Sequence, residues 1–186
     1  MKFPLPASPR SCLALAATIL LTSATIAAAA GPTPAPDATP QATSAIYRDW
    51  QLHCVTGNPA DKTAAPKTCE VAGVALAGDG KGVAARVVLG RPVADKPVQL
   101  VIQLAPGVWL PTGATFTVPG VAPIKAEFKQ CVQVCFAQAE VDAATVTAMK
   151  SADRPATISF QDANRQAVSL PVSLNGFAAA EDASKQ

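Results

Sequence analysis

The chain has 186 residues, a length that suits one domain with or without tails, and its formal net charge is +2. A charge this small excludes a strongly basic nucleic-acid binder, because such proteins need a surplus of Lys and Arg on one face. The single histidine, His53, excludes a metal site built from several histidines.

The N-terminus has the pattern of a secretory signal peptide over residues 1–30. Lys2 and Arg10 precede an uncharged stretch, residues 12–30, which is rich in Leu, Ile, Ala and Thr and ends in four alanines. This order is typical of export signals. An uncleaved membrane anchor is the alternative, since a stretch of this length nearly spans a bilayer. Removing residues 1–30 leaves 13 basic against 13 acidic residues, so the small positive charge belongs to the signal. The prediction is an exported protein, either periplasmic or secreted and associated with the outer surface.

A segment rich in Pro, Ala and Thr, residues 31–45, follows the predicted signal. It holds almost no large apolar side chain and buries too little surface to offset the entropy lost on ordering. It is therefore predicted to be a disordered spacer. The folded domain is expected to cover residues 46–180, which is long enough for one hydrophobic core, with a C-terminal tail at residues 181–186.

Four cysteines remain after the predicted signal: Cys54, Cys69, Cys131 and Cys135. An even number in an exported chain is typical of two disulfides. The pairing of sequence neighbours, Cys54 with Cys69 and Cys131 with Cys135, is favoured. The second bridge requires residues 132–134 to form a turn, because residues four apart in a strand lie about 13 Å apart and a disulfide needs Cα atoms about 4.4–6.8 Å apart. If those residues were extended, the four cysteines would have to cross-pair. A redox-active pair or a zinc site is disfavoured, since the spacing lacks Cys-x-x-Cys.

Period-two alternation dominates the rest of the chain and predicts an antiparallel all-β sandwich or barrel. A short helix is predicted near residues 142–150, with Asp142 as its N-cap and Lys150 near its end. Polar or Gly-rich turns are predicted at residues 78–82 and 161–166. The predicted strands are residues 50–55, 69–77, 83–89, 98–104, 115–118, 124–128, 135–141, 156–160 and 167–174.

Candidate functional residues are few, and no catalytic set is predicted. The alternation on the first strand turns His53 away from the face that carries Trp50, which favours a surface residue over a catalytic base. The Trp109 loop offers more, since Val108, Trp109 and Leu110 lie among turn residues, as an exposed anchor for a partner would. A core aromatic crossing the edge of the sandwich is the alternative for Trp109. No metal or cofactor is predicted.

Five segments of the chain form a recognisable order. They are Asp49-Trp50-Gln51-Leu52-His53-Cys54, Cys69-Glu70-Val71, Pro106-Gly107-Val108-Trp109-Leu110-Pro111-Thr112-Gly113, Phe128-Lys129-Gln130-Cys131-Val132-Gln133-Val134-Cys135 and Leu174-Asn175-Gly176-Phe177. Together they resemble the invasion-associated locus B family of bacterial exported proteins, and the resemblance covers about residues 46–180. One departure is Val134, which stands where family members usually have Gly, and a β-branched residue disfavours positive φ.

This resemblance implies an immunoglobulin-like β-sandwich, export across the inner membrane of a Gram-negative cell and no catalytic residues. Some members of the family are linked to invasion of host cells, notably erythrocytes. The resulting hypothesis is a non-enzymatic envelope or secreted protein that binds an unidentified protein partner, with no nucleic acid and with membrane contact only through an uncleaved signal. The alternatives are a thiol-disulfide protein, a hydrolase that uses His53, and a purely structural envelope protein.

Overall fold

Ten antiparallel strands form a continuous sheet that curls over on itself. The computed structural model describes residues 41–57, 66–78, 80–92 and 96–185. The predicted signal peptide, residues 31–40 of the predicted spacer, most of the loop between the first two cysteines, Asp79 of the predicted turn and Gln186 of the predicted tail lie outside these residues.

The described residues form the nine strands that the sequence predicts, one further strand before them and two short helices. The strands are β1 (Gln41–Tyr47), β2 (Trp50–Thr56), β3 (Thr68–Leu76), β4 (Val83–Gly90), β5 (Val98–Leu104), β6 (Ala114–Thr117), β7 (Ile124–Cys131), β8 (Cys135–Val141), β9 (Ala156–Gln161) and β10 (Ala167–Val172). The helices are α1 (Ala143–Ser151) and α2 (Phe177–Ala183), and Leu110–Thr112 forms a single 3₁₀ turn.

Strand β7 turns the sheet from one layer into the other. The strand order is β1-β2-β3-β4-β5-β8-β7-β6-β9-β10. The first half of β7 pairs with β6 and its second half pairs with β8, with a register shift between Phe128 and Gln130. Bulges of this kind bend a strand and let it serve two packed layers. As a result, β10 lies against β3, and the all-β sandwich expected from the sequence is confirmed.

The hydrophobic core fills the space inside this curl. Along β2 the inward residues are Trp50, Leu52 and Cys54, and the residues between them, including His53, face outward. The period-two pattern therefore assigned the faces of this strand correctly. Helix α2 closes the core against β1, β2 and β3, and it also contacts α1.

Trp50 is the best-anchored side chain of the core. Its exposed fraction is 1%, and its ring meets Phe177 edge-on, with the ring centroids 4.8 Å apart. Its Nε1–H donates to the carbonyl oxygen of Ser173 at 2.8 Å. Gly73 lies under the ring, where an added Cβ would come within 2.9 Å of ring carbons. The absence of a side chain at Gly73 therefore makes room for the indole.

The loop before α2 is tied to the turn between β1 and β2. The hydroxyl of Ser173 donates to Asp49 Oδ2 at 2.6 Å, and the Asp49 N–H donates to the Asn175 carbonyl at 3.3 Å. Gly176 has φ +91, and a Cβ there would collide with the carbonyl of Tyr47. The first and last segments of the family signature therefore meet in space, although more than a hundred residues separate them.

Two predicted boundaries need correction. The predicted spacer, residues 31–45, overlaps β1, since residues 41–45 pair with β2 from Gln41↔Thr56 onward. Backbone pairing with β2 stabilises residues 41–45 although they carry no large apolar side chain, and Tyr47 at the end of the strand packs against the core. The predicted tail, residues 181–186, overlaps α2, in which Glu181 is buried. The alanines of α2 favour a helix, but a segment of 7 residues is too short to be stable as a helix alone, and α2 forms through packing against the sheet.

Helix α1 agrees with the prediction, whereas α2 was missed. The Asp142 side chain caps α1 by accepting the Thr145 N–H at 2.7 Å. This interaction with Thr145 lowers the pKa of Asp142, because hydrogen bonds to a carboxylate favour its charged form.

Both disulfides join sequence neighbours. Cys54 pairs with Cys69, its direct partner across β2 and β3. Cys131 pairs with Cys135, the last residue of β7 and the first of β8. Residues 132–134 form the required turn, in which the Val132 N–H donates to the Val134 carbonyl at 3.3 Å. Val134 is not among the described non-glycine residues with positive φ, so this turn accommodates a β-branched residue.

Substitution of Gly73 tests the packing under Trp50. We expect Gly73→Ala to lower the free energy of unfolding by about 1–3 kcal/mol, because the hydrogen-bonded indole cannot move away from the new methyl group. Gly78→Ala is the matched control, since a Cβ there meets nothing within 4 Å. Urea denaturation of both variants measures the effect, and equal midpoints would contradict the assignment.

Removal of the Cys54–Cys69 bridge tests its contribution to stability. The bridge spans 15 residues, and the chain-entropy treatment gives a loss of about 3 kcal/mol for the double substitution Cys54→Ala and Cys69→Ala. The shorter loop between Cys131 and Cys135 gives about 2 kcal/mol by the same treatment. Denaturation midpoints compare the two double variants. A Cys54/Cys69 variant as stable as the parent would show that this bridge does not support the fold.

Candidate functional site

The loop between β5 and β6 carries the predicted anchor residues and is fixed to the turn between β9 and β10. Val108 forms an isolated bridge with Asp162. The Trp109 N–H donates to the Gln161 carbonyl at 2.8 Å, and the Ala163 N–H donates to the Gly107 carbonyl at the same distance. Backbone pairing thus holds the loop in one conformation.

The β9–β10 turn is itself ordered by Asp162. Its Oδ1 accepts the backbone N–H groups of Asn164 and Gln166 at 2.9 and 2.8 Å, which is the Asx-turn arrangement that Asp favours. The Arg165 N–H donates to the Asp162 carbonyl at 2.9 Å. Arg165 adopts φ +63, a left-handed conformation that is costly for a residue with a Cβ.

This strained conformation brings Arg165 over Trp109. The guanidinium carbon lies 4.3 Å from the centroid of the indole ring, within the range of a cation–π contact. Trp109, Leu110 and Arg165 together form what we call the aromatic platform. Leu110 has an exposed fraction of 44%, so the platform offers an apolar side chain beside a stacked Trp–Arg pair.

Trp109 was predicted to be either an exposed anchor or a core aromatic, and the structure shows an intermediate position. Trp109 is half-buried, and it is neither a member of the core nor a freely exposed anchor. Val108 packs against the core from its edge, so of the three predicted residues only Trp109 and Leu110 belong to the surface. Arg165 was missed as a site residue, because the sequence predicts its turn but not which loop the turn would contact.

His53 lies on the outer face of the sheet and contacts one serine. Its Nδ1 is 3.0 Å from the Ser44 hydroxyl oxygen. Glu70 is its direct partner on β3, but the hydrogen bonds of the described residues include none between His53 and a carboxylate, and Glu70 lies 4.0 Å from Arg86. A Ser-His-acid triad needs the acid to orient the imidazole, so this pair is not an assembled triad.

A groove of about 640 Å³ crosses the same outer face at Gly90, over β2, β3, β4, β5 and β8, and His53 is among the residues that line it. Two acidic residues, Glu70 and Glu140, and two basic residues, Arg91 and Lys96, contribute to its walls. Gln99 donates to Glu140 Oε1 at 3.5 Å. The formal charges of these four residues balance.

Apart from the helix cap Asp142, the described groups with shifted pKa values lie in surface ion pairs. A hydrogen bond from Lys129 at 2.7 Å lowers the pKa of Glu127. The contact between Lys150 and Asp182 lowers the pKa of the carboxyl and raises that of the ammonium. In the described ranges, no three His, Cys, Asp or Glu side chains gather as the ligands of a metal ion would.

The comparisons with known proteins agree with this architecture. The family model described as "Invasion associated locus B (IalB) protein" matches residues 50–185. The chain belongs to the IalB family. The crystal structure of invasion associated protein b from Bartonella henselae is similar to it, with a TM-score of 0.61 and 19% identity over 77% of this chain and 96% of that chain. At this level of identity, the likeness to that structure shows the shared fold. A comparison with curated proteins gives no match.

Within this IalB-family chain, both cysteine pairs are closed as disulfides. None of the helices in the described ranges has the length and apolar character needed to cross a membrane.

Replacement of Arg165 tests the stacked pair. Arg165→Gly removes the strained φ and also the guanidinium, so we expect little loss of stability but a clear increase in acrylamide quenching of Trp109 fluorescence. Trp50 is the only other tryptophan and is buried, so it adds a constant background. Arg48→Gly is the matched control, since Arg48 has φ +54. Unchanged quenching in Arg165→Gly would show that the guanidinium does not cover the indole.

Proposed function

We propose that this IalB-family protein is exported and acts in the envelope, or on the outer surface, by binding a protein partner through the aromatic platform. The stacked contact between Arg165 and Trp109, 4.3 Å apart, carries the proposal. Trp and Arg are the residue types enriched at the energetic centres of protein interfaces.

Rigidity of the platform supports this role. Both segments are held by backbone hydrogen bonds, from Trp109 to Gln161 and from Ala163 to Gly107. A surface that is ordered before binding loses less entropy when the partner docks. The strained φ of Arg165 is also the type of backbone cost that tends to be kept at functional sites.

The chemistry of the platform describes the partner. Leu110 offers apolar surface, and the guanidinium of Arg165 offers donors that match a carboxylate. We therefore expect a partner segment with an exposed apolar side chain next to an Asp or Glu.

Export is supported by the signal-like N-terminus and by two disulfides, which persist in oxidising compartments. The family resemblance makes host-cell membranes, as well as the bacterial envelope, places to search for the partner. A structural envelope role without a specific partner is the alternative, and it predicts that no surface substitution changes binding.

Affinity capture from envelope extracts and from host membranes tests the proposal. We expect Leu110→Asp and Arg165→Glu each to bind the partner captured by the parent protein with an affinity lower by about tenfold or more. Leu76→Asp is the matched control, because Leu76 has a similar exposed fraction of 47% and lies on the β3–β4 hairpin. Thermal denaturation establishes that each variant is folded. Equal capture by all four proteins would exclude the platform as the binding site.

A further inference from the structure

A cavity of about 310 Å³ lies where the inner face of the sheet meets the two helices. None of the three platform residues, Trp109, Leu110 and Arg165, lines this cavity. Its walls come from β3, β4 and β5 on one side and from α1 and the end of α2 on the other. Lys67, Val71, Leu89, Arg91, Val98 and Glu181 are among the residues that line it.

The inner part of the cavity is apolar. Val71 and Leu89 form the sheet wall, and Val146 of α1 faces them. All three side chains are buried, so an apolar group placed among them would be removed from water. Ligand cavities typically combine such walls with a few polar groups and have volumes of about 300–1,000 Å³.

The charged residues of the wall favour an anion. Lys67, Arg91 and Lys185 are basic, and Glu181 is the one acidic residue among those that line the cavity. No ion pair among the described residues involves Lys67 or Arg91. These two side chains are exposed, so they mark the cavity mouth.

The carboxylate of Glu181 is already neutralised. Its residue is 9% exposed, and its Oε2 lies 2.8 Å from Lys185 Nζ and 3.6 Å from Lys150 Nζ. The Lys185 ammonium therefore forms an ion pair with this carboxylate. Lys185 offsets this carboxylate, and Lys150 is shared between Glu181 and Asp182, so the positive charge that remains for a ligand comes from Lys67 and Arg91.

We propose that this cavity binds a small amphipathic carboxylate. Its apolar part lies between Val71, Leu89 and Val146, and its anionic head lies between Lys67 and Arg91. A guanidinium can hold a carboxylate through two parallel hydrogen bonds, whereas an ammonium ligand would meet like charges at the mouth.

Octanoate is the probe for the test, with octylamine, octanol and acetate as matched compounds. Isothermal titration should show octanoate binding at least tenfold more tightly than each of the three. Backbone and methyl NMR shifts on octanoate addition should centre on Val71, Leu89 and Val146. Equal or tighter binding of octylamine or octanol, or no binding of octanoate, would overturn the proposal, as would shifts centred elsewhere.

Two variants test the location of the binding site, one by removing positive charge and the other by filling the cavity. The double substitution Lys67→Gln and Arg91→Gln should weaken octanoate binding at least tenfold while the fold remains intact, since both side chains are exposed. Val98→Phe should block the cavity without changing its charge. Lys125→Gln, an exposed lysine on β7 that does not line the cavity, is the control and should bind as the parent does. Parent-like affinity in the Lys67/Arg91 variant would overturn the assignment of the anionic head.

Discussion

The structure depends above all on the burial of Trp50. The indole lies against Phe177, donates its N–H to the Ser173 carbonyl and occupies the space that Gly73 leaves free. A large apolar surface is thus removed from water while its single polar atom keeps a partner, which is the condition for burying a tryptophan without penalty. This one side chain joins the first hairpin, the third strand and the last helix. The curl of the sheet brings these segments together, and Trp50 holds them there.

The residues that identify the family serve this architecture. Asp49 and Gly176 lie on the two sides of the contact between the β1–β2 turn and the loop before α2. The Cys131–Cys135 hairpin connects β7, the strand that serves both layers, to β8. Such positions constrain the fold through packing and backbone geometry. Family membership therefore establishes the fold.

The two proposed binding surfaces use residues that lie mostly outside the segments that identify the family. Arg165 lies in a turn, and Lys67 and Arg91 lie in connections at the ends of strands. Loops tolerate change because few core contacts depend on them, and they can carry different specificities on one scaffold. Trp109 is the residue at which signature and surface coincide, since its backbone is fixed to the scaffold while its ring supports Arg165.

The sequence by itself determined the all-β class, the faces of the strands and helix α1, and it favoured the pairing of neighbouring cysteines, which the turn at residues 132–134 then decided. These features depend on alternation, capping and short-range closure, all of which act between residues close in the chain. The tertiary structure decided what long-range packing controls. Strand β1 forms because β2 offers a backbone partner, and α2 forms because the sheet covers Phe177. The stacking of Arg165 on Trp109 and the cavity at Glu181 each need segments that meet only after the sheet has curled. No local pattern encodes such meetings, because their stabilising contacts exist only in the folded chain.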